Sequence, residues 1–201
     1  MNTREIYQIL RKAYEQRVKI GEPESYSYME AVRNIVVLEL LFNTGARVSE
    51  IANLKLANTS FETGSILIKG KGNKERIIHV CNQEPISLLK QYYSLFKNKI
   101  EAAGDYLLIN RFNKKISDQS IRGIVRKFVL SAGINRRITP HAFRHSFATL
   151  LLEKDVDIRY IQSLLGHSSI VTSQLYTQVN RAKQRSILKA KHPRRDFSML
   201  E

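Results

Sequence analysis

One segment of strand-like alternation, residues 64–69 and 76–80 about the turn Gly70, Lys71, Gly72, Asn73 and Lys74, stands in a chain whose other apolar residues recur every three or four positions. That pattern confines the chain to a mainly α fold with a small antiparallel β-sheet, an α+β arrangement. Ser27 and Glu30 have capping-box spacing, and the apolar run after them ends at Asn43 and Gly45, both good helix terminators. A second, short helix is expected to carry Arg47, with Val48, Ile51 and Leu54 facing inward. Pro85 opens a helix that buries Ile86, Leu89, Tyr93, Phe96 and Ile100. Another covers residues 118–131 and buries Ile121, Ile124, Val125, Phe128 and Val129. Thr139 and Pro140 start the helix bearing His141 and Arg144, and Asp157 caps one that ends at Gly166. A short helix then leads into Tyr176, and a basic helical tail begins at Arg181.

A chain of 201 residues is most simply one domain, large enough to bury roughly 70% of its unfolded surface. Its 33 Lys and Arg against 18 acidic residues give a formal charge of +15, which favours a polyanion as partner, nucleic acid being the commonest. Charge alone leaves open a basic protein with no such partner. Cys81 is the one cysteine, so neither a disulfide nor a multi-thiol metal site is available within the chain, and a reducing cytoplasm is the natural setting. The longest apolar stretch, residues 35–42, contains Glu39 and is far too short to span a bilayer. Charges scattered through residues 1–20 exclude a signal peptide.

Several dispersed side chains share a chemistry that suits a phosphodiester. Arg47 lies just inside a helix start, where free amides and the helix dipole favour phosphate, and its planar guanidinium matches two phosphate oxygens. A surface ion pair with Glu50 explains the same residues. His141 and Arg144 project from one helix face. Zinc is disfavoured there although His141 and His145 are four apart, because no HExxH glutamate is present and a nearby arginine repels a cation. Lys71 occupies a Gly-flanked turn that lets an ammonium swing toward a phosphate, though basic hairpin tips are commonly just solvated; Lys69 and Lys74 compete for the role. A P-loop is excluded because residues 64–70 hold one residue too many between the glycines and no Ser or Thr follows Lys71. His167 follows Gly166 at a helix end, where an imidazole either donates to a phosphoryl oxygen or caps the helix. Tyr176 is one of nine tyrosines, and nothing in its own surroundings selects it.

Taken together, Arg47 in NTGARVSE, Lys71 in KGKGNKER, His141 and Arg144 in TPHAFRH, His167 in LLGHSS and Tyr176 in SQLYT resemble the catalytic domain of the tyrosine recombinases, the phage integrase and Xer-type family, from about Tyr28 to about Arg185. The resemblance implies the DNA breaking-rejoining enzyme fold and a site-specific recombinase in which Tyr176 attacks a phosphodiester of double-stranded DNA. It implies Lys71 as general acid for the departing 5′ oxygen, a hydrogen-bonding or proton-transfer role for His141, and a steadying role for Glu50 beside Arg47. No cofactor and no metal are expected, and four protomers are expected to assemble as a synapse on DNA, with accessory DNA-bending proteins as further partners. The C-terminal apolar residues Ile187, Leu188, Phe197, Met199 and Leu200 suit docking onto a neighbouring protomer. The expected organisation is one catalytic domain, 1–201, with residues 1–27 as an extension, residues 181–201 as a basic tail, and no N-terminal core-binding domain. A cytoplasmic, nucleoid-associated location follows. A type IB topoisomerase uses a similar constellation, but the Xer-like wording around Arg47, Lys71 and His167 argues against it. A non-catalytic DNA-binding regulator would lack one of the six residues, and none is missing.

Overall fold

The computed structural model describes residues 1–23, 25–70, 75–166 and 179–199, with side chains left aside at residues 179–182. The most apolar segment sets the layout. Helix α2 (Tyr26–Thr44) is mostly apolar and is buried on every side from Ala31 onward, so it runs through the middle of the molecule. Around it pack α1 (Thr3–Ile20), α4 (Gln83–Ala102), α5 (Asp118–Ser131) and α6 (Pro140–Leu152). Ser25 caps α2 by accepting from the Tyr28 amide at 3.1 Å, two residues ahead of the cap expected from Ser27. Gly45 closes the same helix with φ +58°, its amide donating to the Leu41 carbonyl.

Helix α1 packs as part of the core. Ile6, Ile9, Leu10 and Ala13 are fully buried, Asn2 and Glu5 form a capping box, and Arg136 donates to both oxygens of Glu5. Their three- and four-residue spacing is the pattern that buries one helix face.

The sheet has three antiparallel strands in the order β1 (Thr59–Ser60), β2 (Ser65–Lys69) and β3 (Glu75–His79); the hairpin is the expected one and the short β1 is an addition. Register pairs Ile66 with Ile78 and Ile68 with Arg76, so this arginine shares a face with buried isoleucines. Helix α5 spans the expected residues, and α6 starts at Pro140 behind Thr139. Helix α7 (Ile158–Leu165) is capped by Asp157, whose carboxylate accepts from the Arg159 amide, and ends at Gly166 with φ +66°. In α4 the fully buried aromatic is Tyr92, with Tyr93 only partly covered. No helix among the described residues is long and apolar enough to cross a membrane.

After α8 (Val179–Lys191) comes a 3-10 turn, Pro193–Asp196, that folds the tail back onto its own chain. Leu188 is fully buried, and Phe197 stacks at 6.3 Å on Phe42 and meets Tyr7 edge-on at 5.4 Å. Residues expected to seek a neighbour therefore serve the core here; Leu200 lies outside the described residues. The reason is Glu39, a carboxylate inside the most buried helix. Arg194, 0% exposed, donates to both Glu39 oxygens at 3.0–3.1 Å and to Glu84 at 2.6 Å. Tyr14 and Asn43 donate to Glu39 as well, so the buried charge is paired and hydrogen-bonded.

Candidate active site

The site forms where three chain ends meet: the break between α2 and α3 (Val48–Ala52), the start of β3, and the C-terminal end of α7. Arg47 is the N-cap of α3, with extended backbone, so its side chain leaves the helix start instead of lying along the helix. Glu50, three residues on, accepts from the Arg47 amide at 2.7 Å and from its guanidinium Nη1 at 3.1 Å. These two bonds, both donated by Arg47, hold Glu50 buried while 48% of the Arg47 side chain stays exposed. The ion pair and a phosphate-facing role thus coexist: one N–H edge is held, the rest of the fork is free.

Arg144 is the most constrained cation of the group. On the buried face of α6 it donates from Nη1 to the Gly45 carbonyl at 2.8 Å and from Nη2 to the Leu165 carbonyl at 2.7 Å. The guanidinium is pinned between the two left-handed helix ends at Gly45 and Gly166. Gly45 must be glycine: a Cβ there would sit 2.6 Å from the Phe147 ring, in a backbone conformation that side chains rarely adopt. Burial, with Arg47 and Arg76 nearby, pushes the Arg144 guanidinium down to about 10 against the opposing pull of Glu50, leaving it fully cationic at neutral pH.

Arg76 is the residue that sequence reasoning passed over. From β3 it donates through Nη1 and Nη2 to the two Glu50 oxygens at 2.9 and 2.8 Å, and through Nε to the Leu164 carbonyl at 2.8 Å. Burial would raise the Glu50 carboxyl, but the Arg76 and Arg47 hydrogen bonds outweigh it and hold the group below the usual carboxylate range. One signal was available: alternation in β3 puts 76, 78 and 80 on one face, so Arg76 is a cation on an otherwise apolar side.

His141 sits at the exposed start of α6, one turn before Arg144 on the same helix. Lys71, His167 and Tyr176 lie outside the described residues. Lys71 belongs to the loop between Lys69 and Glu75, themselves ion-paired at 3.3 Å, and His167 follows Gly166 directly. Arg47 and Arg76 bond the Glu50 carboxylate and Arg144 adds a third guanidinium close by, so the cluster holds two positive charges in excess, which complements a single phosphodiester plus the charge it gains when attacked.

Residues 4–183 match the phage integrase family. A tyrosine recombinase of Agathobacter rectalis is 47% identical over 173 residues, covering 86% of this chain and 56% of the relative. Among solved structures, the XerA recombinase has a TM-score of 0.70 at 28% identity, over 94% of this chain and 64% of that one. The XerH site-specific recombinase, in a post-cleavage complex with a palindromic difH substrate, has a TM-score of 0.70 at 28% identity, over 98% of this chain and 51% of that one. The chain spans about half the length of the curated relatives it matches, 56% and 54% for two of them. The family match reaches back to residue 4, in keeping with a helix α1 that belongs to the core.

Proposed function

The chain belongs to the phage integrase family, and from that membership we propose that it cleaves and rejoins double-stranded DNA as the catalytic domain of a tyrosine-type site-specific recombinase. The observation that carries the reading is the convergence of Arg47 and Arg144, far apart in sequence, about Glu50 in a site with excess positive charge. Arg47 offers its free edge to one non-bridging oxygen. Arg144, immobilised by two carbonyls, serves the second oxygen without reorganising during the reaction. Tyr176 attacks phosphorus, its oxygen forming the new bond while the bond to the 5′ oxygen breaks, which leaves a 3′-phosphotyrosyl link. The tyrosine proton is lost to a nearby base, a role open to His141, and Lys71 protonates the departing 5′ oxygen. His167 donates to a phosphoryl oxygen. Because the phosphodiester energy stays in the protein link, a second 5′-hydroxyl reverses the step and reseals DNA with neither ATP nor metal.

Exchange of two duplexes requires four strand cleavages, hence a homo-oligomer of four protomers on DNA, and association with the nucleoid follows from that substrate. The XerH neighbour, captured in a post-cleavage complex with its own substrate, supports the reading by likeness of fold. The test is a library of short nicked duplexes with a randomised core, in which cleavage releases a small fragment and traps the protein on DNA. Wild-type protein yields an SDS-stable adduct that maps to Tyr176 and enriches one sequence. Tyr176→Phe retains binding and yields none. Normal adduct from that variant, or mapping to another tyrosine, removes the assignment.

A further inference from the structure

We propose that Arg76 is a positioning residue for this cleavage site: it neutralises Glu50 and braces the end of α7, so that Arg47 stays free to meet a phosphate and Arg144 stays aligned with it. The inference rests on the function proposed above and adds a residue to it. Arg76 does not itself reach for DNA. Its side chain is 11% exposed, and Nε, Nη1 and Nη2 are all engaged by Glu50 and Leu164.

Two arginines compete for the Glu50 carboxylate. Arg76 takes both oxygens in a two-pronged pair, the stronger geometry, whereas Arg47 gives one guanidinium bond at 3.1 Å. Remove Arg76 and a buried carboxylate faces Arg47 alone. The attraction then draws the Arg47 fork onto Glu50 and away from an incoming anion, since an unpaired buried charge is costly. A second consequence runs through the backbone. Arg76 holds the Leu164 carbonyl and Arg144 holds the next one, Leu165, so the two arginines together fix the last turn of α7. Gly166 packs directly on Arg76: a Cβ there would lie 3.0 Å from Nη1. The chain reaches His167 one residue later. Arg76 is also the second residue of the strand that leaves the Lys71 loop, so one guanidinium joins that loop's base to the helix end.

The experiment compares wild type, Arg76→Gln and Arg76→Lys on the duplex enriched above, with either an ordinary scissile phosphodiester or a scissile methylphosphonate. The methylphosphonate carries no negative charge, so misplacing the charge-neutralising arginines matters less on it. Arg76→Gln is expected to form adduct about 10- to 100-fold more slowly on the phosphodiester, the cost of a small displacement of positioned groups, and to come within about threefold of wild type on the methylphosphonate. Arg76→Lys recovers only part of the rate, because one ammonium cannot span both Glu50 oxygens and the Leu164 carbonyl. A merely structural role predicts equal slowing on both substrates, in step with the fraction folded by circular dichroism. That result, or an undiminished rate on the phosphodiester, overturns the proposal. If Arg76→Gln melts below the assay temperature, Arg76→Lys decides: a defect confined to the phosphodiester supports the proposal, and an equal defect on both overturns it. Absence of adduct from wild type on every duplex refutes the recombinase reading itself, a result separate from any difference between variants.

Discussion

The tasks proposed for Arg144 and Lys71 differ, and the difference is measurable. Arg144 is locked to the Gly45 and Leu165 carbonyls and lies on the buried face of α6, a geometry for stabilising charge on oxygens that stay attached to phosphorus. Lys71 belongs to a loop whose base is closed by the Lys69–Glu75 pair, so the nearest competing ammonium already has a carboxylate partner. An alkoxide leaves poorly near neutral pH, and a positioned acid contributes about 100- to 10,000-fold to such a step. Lys71→Ala is therefore expected to cleave ordinary DNA slowly and to recover when the bridging 5′ oxygen is replaced by sulfur, because a thiolate leaves unprotonated. Arg144→Ala shows no such recovery. Rates of adduct formation on the two nicked duplexes decide it, and equal defects of Lys71→Ala on both move the acid role to Lys69 or Lys74.

At the scale of elements, the tail after α8 is a structural part of the domain. Its anchor is a buried network in which Arg194 bridges Glu39 of α2 and Glu84 of α4. Arg194→Met removes one member and leaves Glu39 charged inside the core, so the domain is expected to lose about 3–5 kcal/mol, seen as a lower urea midpoint. Arg194→Met together with Glu39→Gln loses less, because the stranded charge is gone. His192, at the head of the same segment, gives the tail a pH dependence. Its Nδ1 accepts the Arg194 amide at 3.0 Å and its Nε2 lies 3.2 Å from the Asn43 carbonyl, an arrangement that requires the neutral ring. Burial pushes the imidazole down to about 3 from its ordinary 6.5, despite the opposing Asn43 carbonyl. Between those values the unfolded chain binds a proton that the folded chain refuses, so stability falls as pH drops from 6.5 toward 3. The expected slope is up to about 1.4 kcal/mol per pH unit for this one group. His192→Asn keeps a capping acceptor and loses the titration, so its urea midpoint should decline less steeply between pH 7 and pH 5. A parallel decline would reassign the acid sensitivity elsewhere.

At the scale of the whole molecule, a formal charge of +15 and the proposed use of guanidiniums in place of a metal lead to two expectations about DNA that need no knowledge of its sequence. Binding to the enriched duplex is expected to weaken with salt at a log–log slope of about −0.9 for each phosphate neutralised. Cleavage is expected to persist in EDTA, because guanidiniums take the role that magnesium plays in other phosphoryl-transfer sites. Binding indifferent to salt contradicts the first expectation, and a strict divalent requirement for the chemical step points to a nuclease.

Local patterns in the chain were enough to place most of these elements: the β2–β3 hairpin from its alternation, α5 and α6 from their caps and periodicity, and the positions of Arg47, Glu50 and Arg144 from motif wording. Such signals are carried by neighbours in sequence, and a local pattern reports local geometry. Charged groups whose partners lie far along the chain escaped it. Glu39 looked like an interruption in an apolar run, and Arg194 like one more basic residue of a basic tail; they are 155 positions apart and form one buried pair. Arg76 looked like a strand residue, yet its partners are 26 and 88 positions away. The sequence alone thus determined most of the segments that become helices or strands, though not α1 or β1, and which side chains are suited to a phosphodiester. Tertiary structure decided which buried charges neutralise one another, because that depends on the distance between segments brought together by the packing of α2, and on the low-dielectric interior in which no charge can be left alone.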